Sequence, residues 1–153
     1  MDKKIIKIGC EVFVVKDNKL LLGKRKNCYG DGSWGLPGGH LEYGETLVAC
    51  AKRELMEELG IEASGFALVA VNDLIDERAH YVHNSFTIEK YTGEIQNKEP
   101  QFCHEWQFFA FDNLPKELFK PHVKIIHNYI NKILYLVPPI LIIAYSQATR
   151  LIC

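Results

Sequence analysis

The sequence predicts an α/β fold, and three features carry that prediction: two β-rich runs open the chain, an amphipathic helix follows a glycine-rich loop, and further β-rich runs lead into a closing helix. The chain has 153 residues, of which 48% are hydrophobic, which suits one ordinary domain whose core needs no disulfide or structural metal.

Ile5 to Val15 and Lys19 to Arg25 are the opening β-rich runs, and the polar Lys16-Asp17-Asn18 between them suggests a hairpin. Asn27 to Gly39 holds five glycines, one proline and Trp34, a composition suited to an irregular functional loop. Thr46 to Leu59 then sets Leu47, Val48, Ala51, Leu55 and Leu59 at helical spacing, with Gly60 placed to end the helix. Phe66 to Ile75, Tyr81 to Tyr91 and Trp106 to Phe111 are aromatic and β-branched, and are predicted as strands. Beyond them, Pro121 suits a helix start, with Ile125, Ile126, Tyr129, Ile130, Ile133 and Leu134 repeating at intervals of three and four.

Residues 1–135 thus form the expected domain, and 136–153 an apolar tail. Ile133 to Tyr145 is uncharged and interrupted by Pro138-Pro139. A helix crossing a bilayer needs roughly 20 apolar residues, so a strand or extended arm packed on the domain or a second subunit is expected rather than an anchor. The five cysteines have no zinc-type spacing and are read as reduced thiols. The N-terminus lacks the continuous apolar core of a secretory signal, and a cytoplasmic location is expected. Eighteen basic against nineteen acidic residues leave a net charge of -1. Nucleic acid and anionic membranes are therefore not expected partners, and attraction to phosphate must be local.

Within the first helix Glu54, Glu57 and Glu58 stand at i, i+3 and i+4, so three carboxylates share one face. They repel one another, and a divalent cation with a preference for oxygen relieves that repulsion. The frame around them is Gly39, five residues, Glu45, seven residues, then Arg53-Glu54-Leu55-Met56-Glu57-Glu58-Leu59-Gly60-Ile61. This resembles the Nudix box, GX5EX7REUXEEXGU with U apolar, at every defined position.

The resemblance implies a mixed β-sheet sandwiched between helices, and hydrolysis of nucleoside diphosphates linked to a further group. It implies Mg²⁺, or Mn²⁺, held by Glu54, Glu57 and Glu58 with the Gly39 carbonyl, and braced by Glu45 and Arg53. Glu57 or Glu58 is then the candidate general base, with Glu105 and after it Glu99 as candidates outside the box. Lys24-Arg25-Lys26 is a local basic spot at the end of the second strand, where Arg25, and secondarily Lys24, can bind triphosphate oxygens. Trp34 and His40 are the candidates for the base-binding wall.

The string from Leu21 to Thr46 and the stretch KEPQFCHEW resemble the MutT-like nucleoside triphosphate pyrophosphatases, a branch that tends to dimerise. The expected protein is a homodimer that releases a nucleoside monophosphate and pyrophosphate and cleans the pool of (d)NTPs, modified purines included. Glu77 stands where members acting on ADP-ribose carry a proline, and the SQPWPFPxS array of NADH pyrophosphatases is missing. The rival readings are a hydrolase of nucleotide sugars, ADP-ribose or dinucleoside polyphosphates, and a nucleotide-binding module without turnover. The complete set of box glutamates argues against the latter.

Overall fold

The computed structural model describes residues 5–75, 80–137 and 141–144. Glu77 and the end of the tail, residues 145–153, lie outside them. The elements are β1 (Ile6–Phe13), β2 (Val15–Lys16), β3 (Lys19–Arg25), β4 (Trp34–Gly35), β5 (Gly38–His40), α1 (Leu47–Leu59), β6 (Glu62–Ser64), β7 (Ala67–Ile75), β8 (His80–Thr87), β9 (Lys90–Thr92), β10 (Cys103–Ala110), α2 (Lys120–Ile130), β11 (Ile133–Val137) and β12 (Leu141–Ala144).

A mixed six-stranded sheet runs β12-β11-β7-β8-β1-β5, with β1 parallel to β8 and antiparallel to β5. A second, antiparallel sheet centres on β3, which pairs with β10, β2 and β4. Alternation along β1 decides which helix covers which face. Cys10, Val12 and Val14 pack with Cys50, Ala51, Leu55 and Leu59 of α1. Phe13 points the other way and joins Leu20, Leu22, Leu36, Ile125 and Ile126 in a second core beneath α2. The predicted sheet between helices is therefore present, with one helix on each face.

Helix α1 ends where local chemistry dictates. Thr46 is its N-cap, accepting from the Ala49 N–H at 3.1 Å, and Gly60 closes it at φ 70°. Three expected elements differ in detail. The opening hairpin is confined to β2 and β3, joined by Asp17 and Asn18, both at positive φ. At Val14, whose carbonyl accepts from the Leu21 N–H, the chain leaves the large sheet. The predicted strand Tyr81 to Tyr91 is two strands, since the Glu89 N–H turns to the Ser64 carbonyl and starts the pairing of β9 with β6.

The second helix ends at Ile130, so Ile133 and Leu134 are not helical as expected. Asn131 caps it, Lys132 adopts φ 57°, and the β-branched and aromatic run that follows becomes β11, parallel to β7. No helix among the described residues is long and apolar enough to cross a membrane.

Candidate active site

The glycine-rich loop reaches α1 through two glycines that no other residue can replace without moving backbone or carboxylate. A Cβ on Gly38, at φ 140°, would overlap the Cys10 carbonyl, and one on Gly39 would overlap the Glu54 carboxylate. This close approach lets the Gly38 N–H donate to Glu58 Oε2 at 2.8 Å.

Arg53 fastens the same loop from the other side. Its Nε and Nη2 donate to Glu45 at 2.9 and 3.1 Å, and Nη2 also donates to the His40 carbonyl at 3.0 Å. Its Nη1 reaches Glu54 at 2.7 Å and Glu57 at 3.0 Å. One planar cation thereby orients two of the three helix carboxylates, as a guanidinium fork can and an ammonium cannot.

The carboxylates remain under electrostatic stress. Burial, with the nearby charges of Glu54 and Glu99, pushes the Glu58 carboxyl up to about 8, although the Gly38 N–H and Arg25 act against the rise. Burial raises Glu54 too, with Glu57 and Glu99 adding to the effect and Arg53 opposing it. Glu45 moves the other way, lowered chiefly by its hydrogen bonds from Arg53.

Among the described residues no group of three His, Cys, Asp or Glu side chains already converges on one ion position. Glu57, with its side chain 51% exposed, is turned to Arg53 instead. The donor set nevertheless fits a hard divalent cation: Glu54, Glu57 and Glu58 offer only oxygen, beside the Gly39 backbone, and two of them are held in a state that a positive charge would relieve.

Two cavities meet at this clasp. One of about 430 Å³ is lined by Arg25, Glu58, Glu99, Phe102 and Trp106 among others. The other, about 490 Å³, is lined by Glu11, His40, Tyr81, His83, Phe119 and His122 among others. Arg25, Gly38 and His40 border both. Arg25 Nε donates to the Tyr29 carbonyl at 2.9 Å, and its guanidinium carbon stands 4.0 Å from the centroid of the Phe119 ring. The cation is thus fixed at the junction.

The structure does not bring every predicted residue here. Lys24, next to Arg25 on an alternating strand, directs its Nζ over the Trp34 ring at 5.8 Å and lines neither cavity. Trp34 is 8% exposed, packed edge-on against Phe109 in the second core, and does not form a cavity wall. Glu105 is exposed on β10 and outside both cavities, whereas Glu99 lines the one holding Glu58. His40 does line the site, its ring 5.6 Å from that of Tyr81. Partial burial and the charges of Lys7 and His83 lower its pKa.

Sequence reasoning missed Glu11 and the Tyr81-His83 pair. The available signal was a lone carboxylate within the otherwise uncharged run Ile8 to Val15, since buried charge without a partner is costly.

A helix carrying three carboxylates, clasped to a glycine loop by an arginine fork, defines a family. The chain belongs to it: the NUDIX domain model matches residues 7–129. It is a Nudix hydrolase of the MutT-like branch.

An "ADP-ribose pyrophosphatase" of Methanocaldococcus jannaschii is 37% identical over 124 residues, covering 80% of this chain and 72% of that protein. An "Oxidized purine nucleoside triphosphate hydrolase" of Danio rerio is 31% identical over 112 residues, covering 68% of this chain and 66% of that protein. Among solved structures, a MutT Nudix hydrolase from Burkholderia pseudomallei superposes with a TM-score of 0.78 at 32% identity, covering 83% of this chain and 99% of that one.

Proposed function

We propose that the protein is an Mg²⁺-dependent nucleoside triphosphate pyrophosphohydrolase that releases a nucleoside monophosphate and pyrophosphate and clears modified purine nucleotides from the pool. The observation that carries this reading is Arg25 fixed between the two cavities, one lined by Glu58 and Glu99 and the other walled by aromatic rings. A polyphosphate spanning that junction meets a bidentate cation at its middle. The name of one relative, the oxidized purine nucleoside triphosphate hydrolase of Danio rerio, supports the same substrate class.

In this reading Glu54, Glu57 and Glu58, with the Gly39 carbonyl, hold Mg²⁺, and Mn²⁺ can replace it. The bound ion supplies charge neutralisation on the phosphate oxygens and lowers the pKa of the attacking water. Arg53, with Glu45 behind it, positions Glu54 and Glu57, while the Gly38 N–H positions Glu58. Glu99, whose charge is felt at both Glu54 and Glu58, is the group outside the helix set to take a proton from water. His40 flanks the junction on the base side.

The cytoplasm is the proposed location and a homodimer the proposed assembly; the chain beyond residue 135 continues the large sheet as the end of β11 and as β12. Nucleic acid is not a proposed partner, given the net charge of -1.

One other substrate class has a specific observation behind it, the ADP-ribose pyrophosphatase of M. jannaschii. The two readings separate in a competition assay with an oxidised purine triphosphate and ADP-ribose in one mixture. Preferential loss of the triphosphate supports the proposal; preferential loss of ADP-ribose replaces it.

A further inference from the structure

His122 lies in the first turn of α2, 5% exposed, and its Nδ1 accepts from the Leu36 N–H at 2.9 Å. Leu36 stands between β4 and β5, two residues before Gly38, whose N–H donates to Glu58. A side chain of the second helix thus holds the loop that meets the carboxylates of the first.

The local backbone explains why an imidazole is needed there. The Trp34 N–H donates to the Glu117 carbonyl at 2.8 Å and the Phe119 N–H to the Trp34 carbonyl at 2.7 Å, which makes a short parallel bridge. A parallel ladder would continue with the Leu36 N–H donating to the Phe119 carbonyl. Helix α2 begins at that point, and the Phe119 carbonyl accepts from the His122 N–H at 2.8 Å instead. The Leu36 N–H, on a residue 4% exposed, would be left buried without an acceptor. His122 Nδ1 takes the place of the lost carbonyl.

Proton counting fixes the state of the ring. Nδ1 accepts from a peptide N–H, so it carries no proton, and Nε2 holds the single one. An imidazolium would set two N–H groups against each other. Burial, with the charges of His83 and Arg25, holds the His122 pKa well below its usual range, so the acceptor persists at neutral pH. The ring is also boxed in. It stands edge-on to Phe119 at 4.9 Å and to His83 at 6.3 Å, and a Cβ on Gly35 would lie 3.1 Å from Nδ1.

From Leu36 onward each residue of the turn is held in its own way. His122 takes the Leu36 N–H, the Val12 N–H donates to the Pro37 carbonyl at 2.9 Å, and Glu58 takes the Gly38 N–H at 2.8 Å. Planar peptides and the fixed φ of Pro37 leave few soft dihedrals in this stretch, so a shift of Leu36 is passed on to Gly38 and Gly39.

Resting on the cation reading of the carboxylates, we propose that His122 is a positioning residue for the reaction: as a neutral acceptor on Leu36 it sets the turn that holds Glu58 and presents the Gly39 carbonyl.

The test compares His122→Leu, which removes the acceptor, with His122→Asn, whose side-chain oxygen stands at the place of Nδ1 and can still accept. Nitrogen NMR of the wild-type imidazole is expected to find the proton on Nε2. His122→Leu is expected to speed hydrogen exchange at the Leu36 and Gly38 amides of the metal-free protein about tenfold or more. It should also weaken Mn²⁺ binding, read by calorimetry, and lower kcat, each by about 10- to 100-fold, with KM for a purine triphosphate within about twofold. His122→Asn should recover most of each loss. If the leucine variant does not fold, His122→Gln, which carries its polar group one bond too far out, replaces it. A proton on Nδ1, a folded leucine or glutamine variant with normal kcat and Mn²⁺ affinity, a rise in KM alone, or an asparagine variant no better than the leucine one overturns the proposal. The two readings fail separately. A wild type that cleaves no triphosphate removes the proposed reaction, while amide exchange and Mn²⁺ binding still decide His122; full triphosphate turnover in the leucine variant removes His122 alone.

Discussion

Arg53 grips Glu45 with two hydrogen bonds, Nε to Oε1 at 2.9 Å and Nη2 to Oε2 at 3.1 Å, and this grip aims Nη1 at Glu54 and Glu57. Arg53 acts through the carboxylates it orients. Arg53→Lys keeps the charge but cannot make the fork. It is expected to lower kcat by roughly 10- to 100-fold, the usual cost of losing a group that orients metal ligands. Lysine keeps a positive charge beside Glu45, so the stability cost is modest, about 1 kcal/mol. Steady-state kinetics and a thermal melt check both, and unchanged kcat removes Arg53 from the positioning role.

Glu58→Gln is expected to cut kcat by at least about 100-fold while the fold survives, since the amide can still accept from the Gly38 N–H. Circular dichroism confirms the fold and a product assay gives the rate. Near-normal turnover in the folded variant contradicts the assignment of Glu58 to the cation site.

The same residue makes the metal-free protein sensitive to pH. Glu58 titrates at about 8 in the fold against an ordinary 4.5. Between those values the folded state holds a proton that the unfolded chain has released, so stability is full at the acid end and falls as pH rises. The loss from the acid end to pH 8 is on the order of 4 kcal/mol. Melting curves from pH 5 to pH 8 in the presence of a chelator should show the decline. Added Mg²⁺ should reduce it and Glu58→Gln should flatten it. A wild-type Tm constant across this window contradicts the burial effect.

Much of this was legible in the sequence, and the misses have physical causes. The spacing of Glu54, Glu57 and Glu58 placed them on one helix face, and Thr46 and Gly60 bounded that helix, because both signals are local. Trp34 lines no cavity because a loop's composition does not tell which way its side chains face, and Lys24 lines none because alternation along β3 turns it away from the side of Arg25. Pairing of β4 with β3 turned Trp34 into the second core, with Lys24 directly across from it. Glu105 lies outside both cavities, and the register of β10 shifts around it, between Cys103 and Trp106, a bulge that no residue pattern announces. Glu11 and His83 are 72 positions apart and meet only because β1 lies parallel to β8, a long-range pairing invisible to local periodicity.

Glu99→Gln and Glu105→Gln form a matched pair. The first is expected to lower kcat by about 10-fold or more, as loss of a group that takes a proton from water does, and the second to leave it within about twofold. Parallel kinetics decide between them. The reverse pattern returns the role to Glu105.

Arg25→Ala should raise KM for triphosphates about tenfold with a smaller change in kcat, because it removes a charge-assisted fork from bound phosphate. An unchanged KM excludes Arg25 from the phosphate site.

The most direct measurement for the central claim is phosphorus NMR of the products formed from a purine deoxynucleoside triphosphate and Mg²⁺, with Glu58→Gln as the blank. The account predicts equimolar nucleoside monophosphate and pyrophosphate from the wild type and almost none from the variant. Release of inorganic phosphate with a diphosphate, or no reaction while ADP-ribose is cleaved, would contradict it.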